Sequence, residues 1–279
     1  MRRSIVKVNK RHFTSVISGQ FGRFASKEFS PLVQHFINLT YVRLMGLDMR
    51  EFEDPSYYKS LNKLFTRALR RPREYSDNPQ EVISSVDARI TDTGTITNGR
   101  AYQIKGMSYE IEGLFGSFHQ QEVSEVEGGV FINFYLSPKD YHRYHMPMDL
   151  TILSATHIPG KLYPVNFPLL RHKHHLFIEN ERVILSCKDA KGNSHILVLV
   201  GALNVGKMTL SFDETIQTNM NQTQPTHHTY ENLYLKKGDL LGWFEMGSTI
   251  LMFSQKGAFF PEVAINQKSR FGEPIGYLL

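Results

Sequence analysis

The chain has 279 residues, of which 41% are hydrophobic, 21% charged and 12% aromatic, a composition that excludes disordered, collagen-like and coiled-coil classes. A chain of this length buries roughly three quarters of its unfolded surface and needs no disulfide or structural metal; its single cysteine, Cys187, excludes a disulfide framework and any CxxC zinc or redox motif. The net charge of +5 is uneven, because residues 1–30 carry Arg2, Arg3, Lys7, Lys10, Arg11, Arg23 and Lys27 against Glu28 alone, which points that segment at an anionic partner, either nucleic acid or anionic lipid.

No apolar h-region follows the first basic residues, so no signal peptide is expected and the N-terminus is expected to be retained. Phe13, Val16, Ile17, Phe21 and Phe24 fall on one side of a helix, with Arg23 and Lys27 away from it. Such a helix either lies in a lipid headgroup layer or packs on its own domain. The stretch Pro31 to Leu47 contains Gln34, His35, Asn38 and Arg43, short of the roughly 20 nearly uncharged residues of a membrane span. Its Leu32, Val33, Phe36, Ile37, Leu39, Val42 and Leu44 predict a second helix. A third is predicted over Ser60 to Leu69, after the Asp54-Pro55 turn signal, with Leu61, Leu64, Phe65 and Leu69 on its apolar face.

From about Glu81 onward, short β-branched and aromatic runs alternate with Gly, Asn, Asp and Pro, which predicts a mainly antiparallel β region. The clearest strands are Val130 to Leu136, Leu150 to His157, Leu176 to Ile178, Arg182 to Ser186, His195 to Val200, Lys207 to Ser211 and Thr249 to Phe253, with a hairpin turn over Glu179 to Glu181. The expected class is α+β: N-terminal amphipathic helices (1–75), then one β-rich catalytic body (76–279) with no linker or internal repeat dividing it.

Three segments carry candidate chemistry. Val86-Asp87-Ala88-Arg89-Ile90 places an acid inside an expected strand. Tyr141-His142-Arg143-Tyr144-His145-Met146-Pro147 sets two histidines three apart, and Glu245-Met246-Gly247-Ser248-Thr249 supplies a serine. No HExxH pattern or third ligand accompanies His142 and His145, so no metal is expected there. A histidine at a strand end serves instead as a general base when its tautomer is fixed. Asp, His and Ser in this chain order are common in any long sequence, and Gly247-Ser248 lacks the GxSxG nucleophile elbow. His172-Lys173-His174-His175 and His227-His228 lack thiols or carboxylates at ligand spacing and read as solvated loops. Cys187 reads as a small buried residue.

Taken together, and with Leu64-Phe65-Thr66-Arg67-Ala68-Leu69-Arg70, Leu162-Tyr163-Pro164-Val165-Asn166, Asn180-Glu181-Arg182-Val183-Ile184, Val200-Gly201-Ala202 and Lys237-Gly238-Asp239, these segments closely resemble the phosphatidylserine decarboxylase family, in particular its bacterial, pyruvoyl-dependent type. The resemblance spans nearly the whole chain. Met246-Gly247-Ser248-Thr249 matches the family's Leu-Gly-Ser-Thr cleavage motif, with a volume-similar Met for Leu. Phe167 stands where members often carry His, and no role is transferred to it.

The resemblance implies self-cleavage between Gly247 and Ser248. The Ser248 hydroxyl attacks the Gly247 carbonyl with His145 as base and Asp87 orienting and charge-balancing His145. Elimination from the resulting ester, then hydrolysis with loss of ammonia, leaves a pyruvoyl group at residue 248. The large chain (1–247) and small chain (248–279) are expected to stay associated, and the resemblance suggests a homodimer. Turnover converts phosphatidylserine to phosphatidylethanolamine and CO2 through a Schiff base, the pyruvoyl carbonyl serving as the electron sink that ordinary side chains cannot supply, with His142 as candidate proton donor. A lipid substrate favours an anionic membrane surface over nucleic acid as partner, and peripheral placement on the cytoplasmic face of the cell membrane. The alternatives are a pyruvoyl decarboxylase of another serine lipid or amino acid, a serine hydrolase, and a lipid-binding module that never matures.

Overall fold

The computed structural model describes residue 20 and residues 22–104, 107–165, 167–203, 207–220, 222–245 and 248–279, with backbone alone at residues 167, 168 and 248. Most of the expected first helix, including Phe13, Val16, Ile17 and Phe21, therefore lies outside the described residues, although residues 22–26 are helical.

The second expected helix is α1 (Pro31–Met45), with Pro31 in its first turn and left-handed Gly46 as its C-cap. Its polarity is inverted. The buried side holds Gln34, Asn38 and Tyr41: Gln34 donates to Asn38 Oδ1 at 2.8 Å, and Asn38 Nδ2 donates to the carbonyls of Pro55 and Tyr58, each at 2.8 Å. Leu32, Phe36 and Leu44, at 86%, 70% and 76% exposure, face outward. The third helix, α2 (Leu61–Phe65), is capped by the Ser60 hydroxyl, which accepts from the Lys63 amide. It is shorter than its apolar pattern predicts. The Thr66 hydroxyl bonds back to the Asn62 carbonyl at 2.9 Å and the chain turns away, carrying Arg67 inward.

The β body comprises β1 (Glu81–Ile83), β2 (Ala88–Thr95), β3 (Arg100–Ile104), β4 (Met107–Glu110), α3 (Ile111–Phe115), α4 (Gln120–Glu125), β5 (Val130–Leu136), β6 (Arg143–His145), β7 (Leu150–Ile158), α5 (Phe167–His172), α6 (Leu176–Glu179), β8 (Arg182–Lys188), β9 (Ser194–Gly201), β10 (Met208–Leu210), β11 (Thr226–Leu235), β12 (Leu240–Phe244), β13 (Ser248–Ser254), β14 (Phe259–Pro261), β15 (Lys268–Ser269) and β16 (Pro274–Leu278). The main sheet runs β11-β7-β8-β9-β13-β5-β2-β15, and smaller sheets run β10-β12-β6, β1-β16-β14 and β3-β4. The strand pairings are antiparallel. The interior strand β9 is buried along its whole length, so the sheet is covered on both faces and reads as a continuous apolar run. Phe253 of β13 meets Phe115 of α3 edge-on at 5.2 Å, each ring contributing about 1.5–3 kcal/mol by burial.

Three expectations of local structure are corrected. Leu176 to Ile178 is the start of α6, so no hairpin turns at Glu179 to Glu181; a three-residue apolar run has no periodicity to separate strand from helix. His227 and His228 sit in β11, paired with Thr156 and Ala155, and are half-buried rather than solvated loop residues. The β2 strand begins at Ala88, so Asp87 precedes it instead of interrupting it.

Candidate active site

Strand β5 leads from the main sheet toward the β10-β12-β6 sheet, and its end lies beside the start of β13. Strand β5 ends at Leu136, opposite Ser248 at the start of β13, and seven residues later β6 begins beside β12, where the Phe244 amide donates to the His142 carbonyl at 3.0 Å. The junction thus holds the backbone of Ser248 and that of His142, while His145 lies at the other end of β6, opposite Leu240. Gly201 lies opposite Ser248 on the other side. Its amide donates to the Glu181 carbonyl and its own carbonyl accepts from Asn180 Nδ2, both at 2.8 Å, so its polar groups face β8 and the Gly201–Ser248 pair is the close, non-hydrogen-bonded kind. A Cβ on Gly201 would meet the Glu181 carbonyl and Leu162 Cδ2, each at 3.2 Å, so β9 is closely packed at this position. Asp87 stands two residues before Arg89, which pairs with Tyr135; Leu136 therefore separates Asp87 from Ser248, a span of two strand spacings or about 10 Å. Met246 and Gly247, and the Ser248 side chain, lie outside the described residues.

His145 is held at both ring nitrogens. Nδ1 is 2.9 Å from the Gly238 carbonyl, which can only accept, so Nδ1 carries the proton and Nε2 receives the Tyr141 hydroxyl at 3.0 Å. Gly238 is required in this role: its φ is +84°, and a Cβ there would stand 1.8 Å from the Tyr75 hydroxyl. The imidazole stacks on Phe271 at 3.8 Å. Burial pushes its pKa down to about 4, the Gly238 bond and the Asp87 charge acting upward against burial, Arg143 and Arg73. It is therefore neutral near pH 7 with its basic lone pair on Nε2.

Asp87 shares this site without a direct hydrogen bond to His145 among the described residues. Its carboxylate takes both Arg73 Nη atoms, at 2.5 and 2.9 Å, and the Phe271 amide at 2.8 Å. Phe271 therefore links the two, its amide on Asp87 and its ring on His145. Arg73 also forks onto Glu51 at 3.1 and 2.9 Å, tying the helical section to the site. His142 is fully buried, Nδ1 at 2.8 Å from the Asp140 carbonyl and Nε2 without a hydrogen-bond partner among the described residues. Burial lowers its pKa to about 3, so in this state it is a neutral acceptor.

Sequence reasoning did not single out Arg73, Phe271, Gly238 or Tyr141. Gly238 and Tyr141 belonged to quoted motifs, whereas Arg73 and Phe271 lie in segments with no pattern of their own. The other polar clusters lie elsewhere. His172, His174 and His175 are exposed, and the described residues hold no metal-binding cluster. Asp189, His195 and Ser254 form an acid–histidine–serine chain at 3.3 and 2.9 Å, but His195 and Ser254 are fully buried at the opposite end of β13 from Ser248. Cys187 is buried, its thiol pKa raised to about 12, which makes it inert.

A family model described as phosphatidylserine decarboxylase matches residues 61–277. Proteins named phosphatidylserine decarboxylase proenzyme are similar over most of their length: one from Helicobacter pylori strain Shi470 at 46% identity (94% of this chain, 97% of the relative), one from Campylobacter jejuni at 44% (94% and 98%) and one from Nitrosococcus oceani at 35% (86% and 80%).

Proposed function

The chain belongs to the phosphatidylserine decarboxylase family, and we propose that Asp87, His142, His145 and Ser248 carry its chemistry. It is a phosphatidylserine decarboxylase, made as a proenzyme, that forms phosphatidylethanolamine and CO2. The proposed maturation is cleavage between Gly247 and Ser248 with Ser248 left as the pyruvoyl group, whose carbonyl would supply the electron sink for decarboxylation. The residues fit that group: His142 Nε2 and Thr249 Oγ1, the latter on the residue next to Ser248, are buried polar atoms without partners among the described residues.

His145 is the proposed base for the Ser248 hydroxyl. The supporting observation is its neutral state with the lone pair on Nε2, which Tyr141 must release for the histidine to act. Asp87 would stabilise the imidazolium that forms, acting across Phe271, while Arg73 fixes the carboxylate. His142 is proposed to hold and deliver the proton that replaces CO2, and it must gain that proton when substrate arrives.

Lipid access is proposed through α1. Among the described residues no helix is long and apolar enough to cross a membrane, yet α1 turns Leu32, Phe36 and Leu44 outward immediately before Gly46 and Asp48, which line the cleft leading to Asp87. An exposed apolar stripe with Arg43 beside it suits peripheral insertion into an anionic headgroup layer, proposed here at the cytoplasmic face.

The test is intact mass spectrometry of the wild type beside Ser248→Ala, coupled to release of phosphatidylethanolamine from phosphatidylserine micelles. Expected are two wild-type chains ending at Gly247 and beginning at residue 248, the smaller lighter by one ammonia than hydrolysis alone gives, and one inactive Ser248→Ala chain. An intact, inactive wild type that preserves its fold would return the hydrolase and lipid-module readings.

A further inference from the structure

Arg67 is buried, at 2% exposure, yet makes no ion pair among the described residues. Its Nη2 donates to the carbonyls of Lys139 at 2.9 Å and Asp140 at 3.3 Å, while Nε and Nη1 have no partner among the described residues. The nearby carboxylates are committed elsewhere: Asp140 takes the Ser137 amide and hydroxyl, each at 2.7 Å, and Asp87 takes Arg73 and the Phe271 amide. The Phe52 ring, 4.4 Å from the guanidinium carbon, and the charges of Asp87 and Asp140, without a direct pair, offset its burial only in part. An arginine cannot shed its proton to escape burial, so a buried charge with no direct ion pair and two idle donors is a costly arrangement unless a ligand completes it.

The surroundings indicate the ligand. Arg67 lines a cleft of about 880 Å³ together with Asp87, Tyr135 and Ser137, the last two flanking the Leu136 that pairs with Ser248. The Asp140 carbonyl that Arg67 meets also receives His142 Nδ1. Two buried side chains thus converge on one carbonyl and leave three nitrogens unpartnered. A planar guanidinium fork matches an oxyanion, and the phosphatidylserine headgroup brings two, a carboxylate and a phosphodiester. Clamping the carboxylate would stabilise the ground state over the departing, neutral CO2, whereas the phosphodiester keeps its charge throughout.

We infer that Arg67 is the residue that receives the phosphodiester oxyanion of the substrate headgroup, an assignment that rests on the decarboxylase reading above. It also gives His142 a route to its proton. Burial and, to a smaller extent, the Arg67 charge hold His142 deprotonated; an anion seated on Arg67 cancels that charge and favours protonation in the loaded site.

The test compares matured wild type with Arg67→Met in detergent micelles, measuring kcat and KM for phosphatidylserine. Inhibition is measured with phosphatidylethanol, which keeps the phosphodiester but lacks amine and carboxylate, and with a phosphate-free O-acylserine. Two chains on a gel report that the variant folds and matures. Loss of a charge-assisted contact made equally in ground and transition states should raise KM at least about tenfold with kcat within about threefold, and weaken phosphatidylethanol by the same factor while O-acylserine is unchanged. KM and phosphatidylethanol inhibition within about twofold of wild type, a change too small for a lost charged contact, overturn the inference; so does weakened O-acylserine with unchanged phosphatidylethanol, which would put the carboxylate on Arg67. Where Arg67→Met does not mature, phosphatidylethanol binding to Ser248→Ala with and without Arg67→Met makes the same comparison, with the same loss expected and unchanged binding overturning it. A wild type that never acts on phosphatidylserine fails the decarboxylase reading itself.

Discussion

Asp87 is surrounded by groups that hold its carboxylate in place, and Arg73 dominates them, with its side chain 11% exposed and that of Asp87 17%. Removing the arginine leaves Asp87 and Glu51 facing one another without the shared cation. Arg73→Gln is expected to lower stability by about 3 kcal/mol, the scale of a broken buried ion pair, and to slow chain cleavage, with Arg73→Lys recovering part of both. Urea midpoints and a gel time course read the two effects. His142 makes a prediction in pH. Its folded pKa is near 3 against an ordinary 6.5, so below pH 6.5 the unfolded chain takes up a proton that the folded chain refuses. Stability should therefore fall as pH drops from 6.5 toward 3, by up to about 2–3 kcal/mol at pH 4.5 from this residue. His142→Phe should show a smaller fall in urea midpoint between pH 7 and pH 4.5 than the wild type; equal falls would mean that His142 is not held neutral. At this scale the motifs named the residue types, but the partners of Asp87 come from residues 73 and 271, joined to it only by the fold.

Among the elements, strands were legible and edges were not. Val130–Leu136 was read with its true bounds because an apolar β-branched and aromatic run ends at Ser137-Pro138, both turn formers. The α6 helix was misread because four residues carry no period. The α1 helix was located correctly, but its sidedness was hidden: the polar residues Gln34 and Asn38 would normally mark the wet face, and here Asn38 binds the Pro55–Tyr58 turn while Gln34 holds Asn38. That inversion separates the residues that hold the fold from those proposed to meet the membrane within one helix. Asn38→Ala should cost about 1–3 kcal/mol by leaving two carbonyls unpaired, read as faster proteolysis within residues 22–75. Phe36→Asp, on the opposite face, should leave thermal stability nearly unchanged and reduce cosedimentation with anionic vesicles. Equal binding by this variant and the wild type would remove α1 from the membrane contact.

For the whole molecule, the proposed cleavage point has a mechanical consequence. Residues 248–279 supply β13, β14, β15 and β16. Strand β13 is interior to the main sheet, with seven register pairs to β5 and seven to β9, so it cannot leave without opening the ladder on both sides. Strand β16 lies between β1 and β14, and β15 lies on β2. Phe271, between β15 and β16, carries the ring against His145 and the amide on Asp87, so the small chain would supply part of the site as well as the pyruvoyl group. Cutting before Ser248 and losing its nitrogen alters only the first position of β13 and leaves the pairings from Thr249 onward in place. Burial of Ile250, Leu251, Met252 and Phe253, each at 1% exposure or less, contributes about 6–12 kcal/mol at 1.5–3 kcal/mol per side chain, before the ladder is counted. The matured protein should therefore elute from gel filtration as one species containing both chains, survive dilution without losing activity, and separate only in denaturant concentrations that unfold it. Activity lost on dilution, with the small chain eluting alone under native conditions, would contradict a β13 held on both edges.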